Sequence, residues 1–181
     1  MKPNCTTALF TTLLGMCSLP SFAADTATTM CASADKVVFS CPLGNGKKVV
    51  SMCASGDASP GHGRFYYAYG RPSAPELVYP AKNQPSDDLF MRSHLVYGGA
   101  SGGTAYSFVK DGYKYIVYSI AGTGFHDGGI IVQRPGEAGV AKKMQCQSSK
   151  ILESQDDGVI DATLKWKSDS PLATHGLPGT H

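Results

Sequence analysis

The run Gly99-Ala100-Ser101-Gly102-Gly103 has the spacing G-x-S-x-G, which in hydrolases places a nucleophilic serine on a sharp strand-to-helix turn. That chemistry needs a helix after the serine. Here Thr104-Ala105-Tyr106-Ser107-Phe108 follows, a strand-forming run, so the motif reads as a Gly-rich loop between strands. His126-Asp127 is an adjacent acid/base pair inside the Gly-rich stretch 122–129. General acid/base work needs a third, orienting group and a pocket. Neither is visible, and the favoured reading is a solvated loop pair, with a small hydrolase using His126 and Asp127 as the enzymatic alternative. His62, His94 and His126 show no ligand spacing, so neither a metal site nor a cofactor is expected. Asp156-Asp157-Gly158 resembles a fragment of a calcium loop, but the alternating oxygens and terminal Glu are missing. It reads as a turn or helix break.

Tyrosine carries the stronger signal. All nine fall between Tyr66 and Tyr118, interleaved with Gly- and Ser-rich segments. Tyr suits strands, and several must fill the core. Alternation along a strand nevertheless sends roughly half to each face. Tyr beside Gly and Ser is also the composition of recognition surfaces, because it offers large contact area at low side-chain entropy. A tyrosine-lined binding face is one expectation; packing is the other.

The 181 residues carry 16 basic and 14 acidic side chains, a net charge of +2. Near-neutrality argues against a polyanion binder. The longest basic runs, Lys47-Lys48 and Lys142-Lys143, are too short for a nucleic-acid stripe. Lys2, a short apolar run at 6–14 and the small residues of Ser21-Phe22-Ala23 read as a signal peptide, residues 1–23, cleaved near Ala23. The run is shorter than the ~20 residues a membrane span takes. Cys5 and Cys17 leave with the signal; Cys31, Cys41, Cys53 and Cys146 remain. An even count in an exported chain predicts two disulfides. Three pairings exist, and we favour Cys41–Cys146, which staples the first strand to a late one and closes a long loop, with Cys31–Cys53 by exclusion. The expected location is periplasmic or secreted.

These candidates must be held by strands. Residues 24–35 form a lead-in, and 36–167 read as one β domain. Runs at 36–41 and 47–53 flank Pro42-Leu43-Gly44-Asn45-Gly46, a hairpin turn. Further strands are read at 64–69, 76–79, 89–97, 104–109, 113–120, 129–133 and 140–146. Asp111-Gly112 marks the clearest hairpin, since both turn positions need left-handed backbone. Residues 113–120 are apolar or aromatic on both faces and predict a central strand covered on both sides. An antiparallel β-sandwich or small barrel of eight to nine strands follows. One short helical piece is expected between 148 and 167, and a disordered tail at 168–181.

The chain resembles a group of small exported bacterial β-proteins of unknown function. The likeness covers residues 36–146. It rests on Phe39-Ser40-Cys41, a second cysteine ending the next strand, an aromatic strand with a terminal Gly, Glu76-Leu77, and Gly98-Gly99 before Tyr106. A looser likeness is to the periplasmic and membrane-bound lysozyme inhibitors of Gram-negative bacteria, which are disulfide-stapled antiparallel β folds. Their inhibitory loop has Ser-Gly, two residues, then Tyr. Here Ser101-Gly102 and Tyr106 are separated by three. The resemblance implies that Ser101, Gly102 and Tyr106 contact a lysozyme-type cell-wall hydrolase. The expected function is a non-enzymatic binding protein with a protein partner, no nucleic acid and no membrane span. An envelope structural subunit is the other non-enzymatic alternative.

Overall fold

The computed structural model describes residues 29–179 apart from Ser73, Asn83, Pro85, Asp87 and 135–138. The expected signal peptide, residues 1–23, and the expected cleavage near Ala23 lie outside the described residues. Strands β1 (Lys36–Leu43), β2 (Lys48–Ala54), β3 (Phe65–Arg71) and β4 (Ala74–Tyr79) form one antiparallel meander. Strands β5 (Met91–Tyr97), β6 (Ser101–Lys110), β7 (Tyr113–Gly122), β8 (Phe125–Gln133) and β9 (Val140–Gln145) form the second. A two-residue strand, β10 (Leu152–Glu153), returns to the first sheet beside β1, giving orders β10-β1-β2-β3-β4 and β5-β6-β7-β8-β9. Helices α1 (Asp157–Leu164) and α2 (Ser170–His175) follow. The protein is thus a mostly β, two-sheet sandwich.

Turn chemistry fixes the hairpins. Asp111 and Gly112 adopt φ of 50° and 73° between β6 and β7. Gly44 and Gly46, at 47° and 79°, do the same between β1 and β2. A bulge in β1 between Val37 and Phe39 lets Val38 and Phe39 both enter the core. The space between the sheets is aromatic. Phe108 stacks on Tyr115 and Tyr79 at 4.9 Å, and Phe90 stacks on Trp166 at 5.5 Å.

Both expected disulfides are present. Cys41–Cys146 ties β1 to the end of β9, and Cys31–Cys53 ties the lead-in to β2. Residues 29–35 cover the outer face of the first sheet. There Met30 and Cys31 pack on Cys53, Tyr66 and Ala68, and the Tyr66 hydroxyl donates to Asp35 at 2.7 Å.

β7 is the middle strand of its sheet, covered on both faces. The outer cover corrects the expectation of a disordered tail. Residues 168–179 lie across that face, where Leu172 and Leu177 are buried against Leu95, Ile116, Tyr118, Ile120 and Ile131. A polar anchor precedes them. Buried Asp169 accepts from the Ser107 hydroxyl at 2.6 Å and pairs with Lys114 at 2.5 Å, while its amide donates to Ser93. Two leucines and one carboxylate give no periodicity, which is why the segment reads as disordered from sequence. Residues 180–181 lie outside the described residues.

Candidate functional site

The Gly-rich stretch before Tyr106 is strand rather than loop. Ser101, Gly102 and Gly103 belong to β6 and pair with Tyr97, Val96 and Leu95. The turn that feeds it is tight, with Gly99 and Ala100 at φ of 72° and 57°. A Cβ on Gly103 would lie 1.9 Å from the Ser119 carbonyl oxygen, and one on Gly102 would lie 2.6 Å from that of Leu95. These glycines therefore serve close strand packing. No helix follows Ser101, whose hydroxyl donates to the Gly98 carbonyl at 2.9 Å. Ser101 and Tyr106 are five apart on one strand, so their side chains leave opposite faces. Tyr106 is buried in the inter-sheet core. The structure does not bring Ser101, Gly102 and Tyr106 together as one presented loop.

His126 and Asp127 are likewise neighbours on β8 and face opposite ways. Asp127 accepts from the Tyr118 hydroxyl at 3.4 Å on the outer face. Burial pushes the Tyr118 phenol well above its ordinary value, and the Asp127 charge pushes the same way. His126 faces inward, with Nε2 at 2.8 Å from Ser119 Oγ and 3.7 Å from Glu153 Oε2. A nucleophile relay needs serine and carboxylate on opposite ring nitrogens. Here both meet Nε2, and Ser119 is buried. This cluster joins β7 and β8 to β10; it does not form a relay. Among the described residues no group of three or more His, Cys, Asp or Glu side chains could hold a metal ion. Asp156 caps α1 rather than breaking it, accepting from the Val159 amide at 3.0 Å and pairing with Lys36 at 2.9 Å.

The strongest candidate site is a tyrosine-lined cleft between β3–β4 and β7–β9. Its walls include Tyr67, Tyr69, Leu77, Tyr113, Tyr115 and Met144, around about 430 Å³. A second hollow of about 390 Å³ shares Tyr69 and Met144 and runs on to the β1–β2 turn. Tyr67 forms the buried floor, and Tyr69, Tyr113 and Tyr115 are half-buried. The volume lies within the ~300–1,000 Å³ range of small-molecule sites.

The cleft is braced. The Tyr69 hydroxyl donates to Met144 Sδ at 3.6 Å across the two sheets. Lys48 Nζ donates to that hydroxyl at 3.2 Å and to Glu76 at 2.7 Å, lying 5.1 Å from the Tyr69 ring centroid. The hydrogen bond to Glu76, then that to Tyr69, holds the Lys48 ammonium above its ordinary value. Arg134 donates to the Tyr113 hydroxyl at 3.2 Å. The Cys41–Cys146 disulfide and the Gly44 N–H to Gln145 carbonyl bond fix the β1–β2 turn against β9.

That fixation explains what sequence reading missed. Lys47-Lys48 and Lys142, nearly a hundred positions apart and each too short to signal anything alone, come to one rim. Arg71 joins them. Among the described residues, Lys47, Arg71 and Lys142 have no ion-pair partner, and the lining acid, Glu76, is already paired to Lys48. The site is therefore an apolar, aromatic cleft with a cationic margin. The excess of tyrosine was visible in the sequence; the basic margin was not.

The chain matches no protein-family model, no curated protein and no solved structure.

Proposed function

We propose that this chain is an exported, non-enzymatic binding protein of the bacterial envelope, with its ligand site in the tyrosine cleft. The ligand class that fits is a flat, largely apolar small molecule carrying negative charge. One observation carries the reading: half-buried tyrosines flank a preformed cleft whose margin holds Lys47, Arg71 and Lys142, cations with no ion-pair partner among the described residues. Aromatic walls supply contact area with little ordering cost, and a cationic rim selects for charge. Two disulfides fit an oxidising compartment, periplasmic or secreted, as does a signal peptide at 1–23.

A fluorescence titration with 1-anilinonaphthalene-8-sulfonate tests this, run alongside near-UV circular dichroism to show native packing. Saturable binding of one probe per chain is expected. It should weaken about tenfold or more in Tyr69→Ala and Lys142→Glu, and neutral N-phenyl-1-naphthylamine should bind less tightly. Equal binding by both variants would overturn the assignment.

Inhibition of a lysozyme-type hydrolase is a second reading. It is supported by the resemblance and by the cationic margin, which complements an active site built on carboxylates. Because Ser101 and Tyr106 leave opposite faces of β6, the contact would use the margin of the cleft. Titration against several lysozymes, following cell-wall lysis, decides it: stoichiometric loss is expected of an inhibitor, and unchanged lysis across the panel removes this reading.

A further inference from the structure

A smaller pocket, sharing no lining residue with the cleft, lies where β10 and the start of α1 cross β5 and β6. Its volume is about 230 Å³, and its polar lining includes Arg92, Thr104, Tyr106, Glu153, Gln155 and Thr163. Val38, Val159 and Ile160 form an apolar wall. Two charges of opposite sign line this one small space without pairing. Among the described residues Arg92 has no ion-pair partner, and the contact of Glu153 is His126 at 3.7 Å. Opposite charges so placed would ordinarily close on each other.

Arg92 is also incompletely bonded. Its Nε is buried and has no hydrogen-bond partner among the described residues. Arg64 Nε is in the same condition, but Arg64 spends its fork on the Pro80 carbonyl at 3.2 Å, stacks on Tyr66, and lines neither the pocket nor the cleft. An unmade hydrogen bond at a buried donor atom is costly unless something fills it. Tyr106 senses both charges. Burial pushes its phenol up, the Arg92 guanidinium pulls it down, and the Glu153 charge raises it again.

We propose that this pocket binds the zwitterionic head of a free α-amino acid, with the carboxylate on Arg92, the ammonium on Glu153, and the aliphatic side chain against Val38, Val159 and Ile160. The guanidinium fork matches a carboxylate, and Thr104 offers a hydroxyl donor beside it. A carboxylate left on the opposite wall favours an ammonium. Glu153 is 43% exposed at the side chain, so the ammonium end sits towards the mouth. A simple acid or simple amine satisfies one half and leaves the other unpaired, which makes the site selective for both together. The pocket is below the usual range for drug-sized ligands, as a single amino acid requires. This inference is independent of the tyrosine cleft.

The test is a thermal-shift series on the oxidised protein with the twenty amino acids, acetate and ethylamine, each at about 10 mM. A rise in Tm is expected with small aliphatic amino acids and not with acetate or ethylamine. Glu153→Gln, a nearly isosteric change at an exposed position, should weaken binding about tenfold or more, as should Arg92→Gln. Amide resonances of Thr104 and Gln155 in the wild type should shift on adding alanine, which reads the site without any substitution. No shift with any amino acid, or acetate acting as well as alanine, would overturn the proposal.

Discussion

Replacing Asp169 by Ala tests why the C-terminal segment is ordered at all. Its carboxylate is 3% exposed and accepts from Lys114, itself 14% exposed at the side chain, and from the fully buried Ser107 hydroxyl. Removing one partner of a buried ion pair costs about 3–5 kcal/mol, because the other charge stays behind. Lys114 retains some access to water, which places its share near ~3 kcal/mol. The stranded Ser107 hydroxyl adds about 1 kcal/mol or more. The expected loss is ~4 kcal/mol, a large part of the ~5–15 kcal/mol a domain has. Urea unfolding of the oxidised protein reads it. With a slope of ~2 kcal/mol per molar, the midpoint should fall by about 2 M. Asp169→Asn, which keeps an acceptor for Ser107, should lie between the two. A midpoint lowered by less than ~0.5 M would show that the segment does not depend on this anchor, and the account of its order would be wrong.

The two disulfides should differ in worth. In the chain-entropy model, closing separations of 105 and 22 residues contributes about 5 and 3 kcal/mol, so Cys41→Ala/Cys146→Ala should destabilise more than Cys31→Ala/Cys53→Ala under urea. Equal losses would contradict that ordering. Asp156 has a pH signature. Its carboxyl is held below its ordinary value, first by the Lys36 hydrogen bond and then by the Val159 amide. Its stabilisation is therefore present above the unfolded-state value and lost as pH falls through the lower folded one. Wild type should lose stability across that acid window more steeply than Asp156→Asn; identical pH curves would dismiss the capping role.

How legible the protein was in its sequence follows from the range of each signal. Asp111-Gly112 and Gly44-Asn45-Gly46 specify left-handed turns locally, so their hairpins were readable. The four cysteines after residue 23 allow only three pairings among themselves. β10 was not readable, because two residues, Leu152 and Glu153, carry no period. The demand for an outer cover on β7 was visible in residues 113–120. That residues 168–179 meet it was not, since Asp169 binds through Ser93, Ser107 and Lys114, each on a different strand. His126-Asp127 looked like a loop pair because Gly122, Gly124, Gly128 and Gly129 surround it. In the fold Gly128 and Gly129 are strand positions; a Cβ on Gly129 would lie 2.3 Å from the Met144 carbonyl oxygen. The cleft shows the same limit at larger scale. Tyr69, Tyr113 and Met144 come from three strands, and only their assembly makes a site.

The proposed ligand enters between β3–β4 and β7–β9. The most direct measurement is a ¹H–¹⁵N and methyl-resolved NMR titration of the oxidised protein with 1-anilinonaphthalene-8-sulfonate. Saturable shifts are expected, confined to Tyr69, Leu77, Tyr113, Tyr115, Val132 and Met144 and the adjoining Lys48 and Lys142. Shifts centred on the outer face at Leu172 and Leu177, or none that saturate, would contradict it.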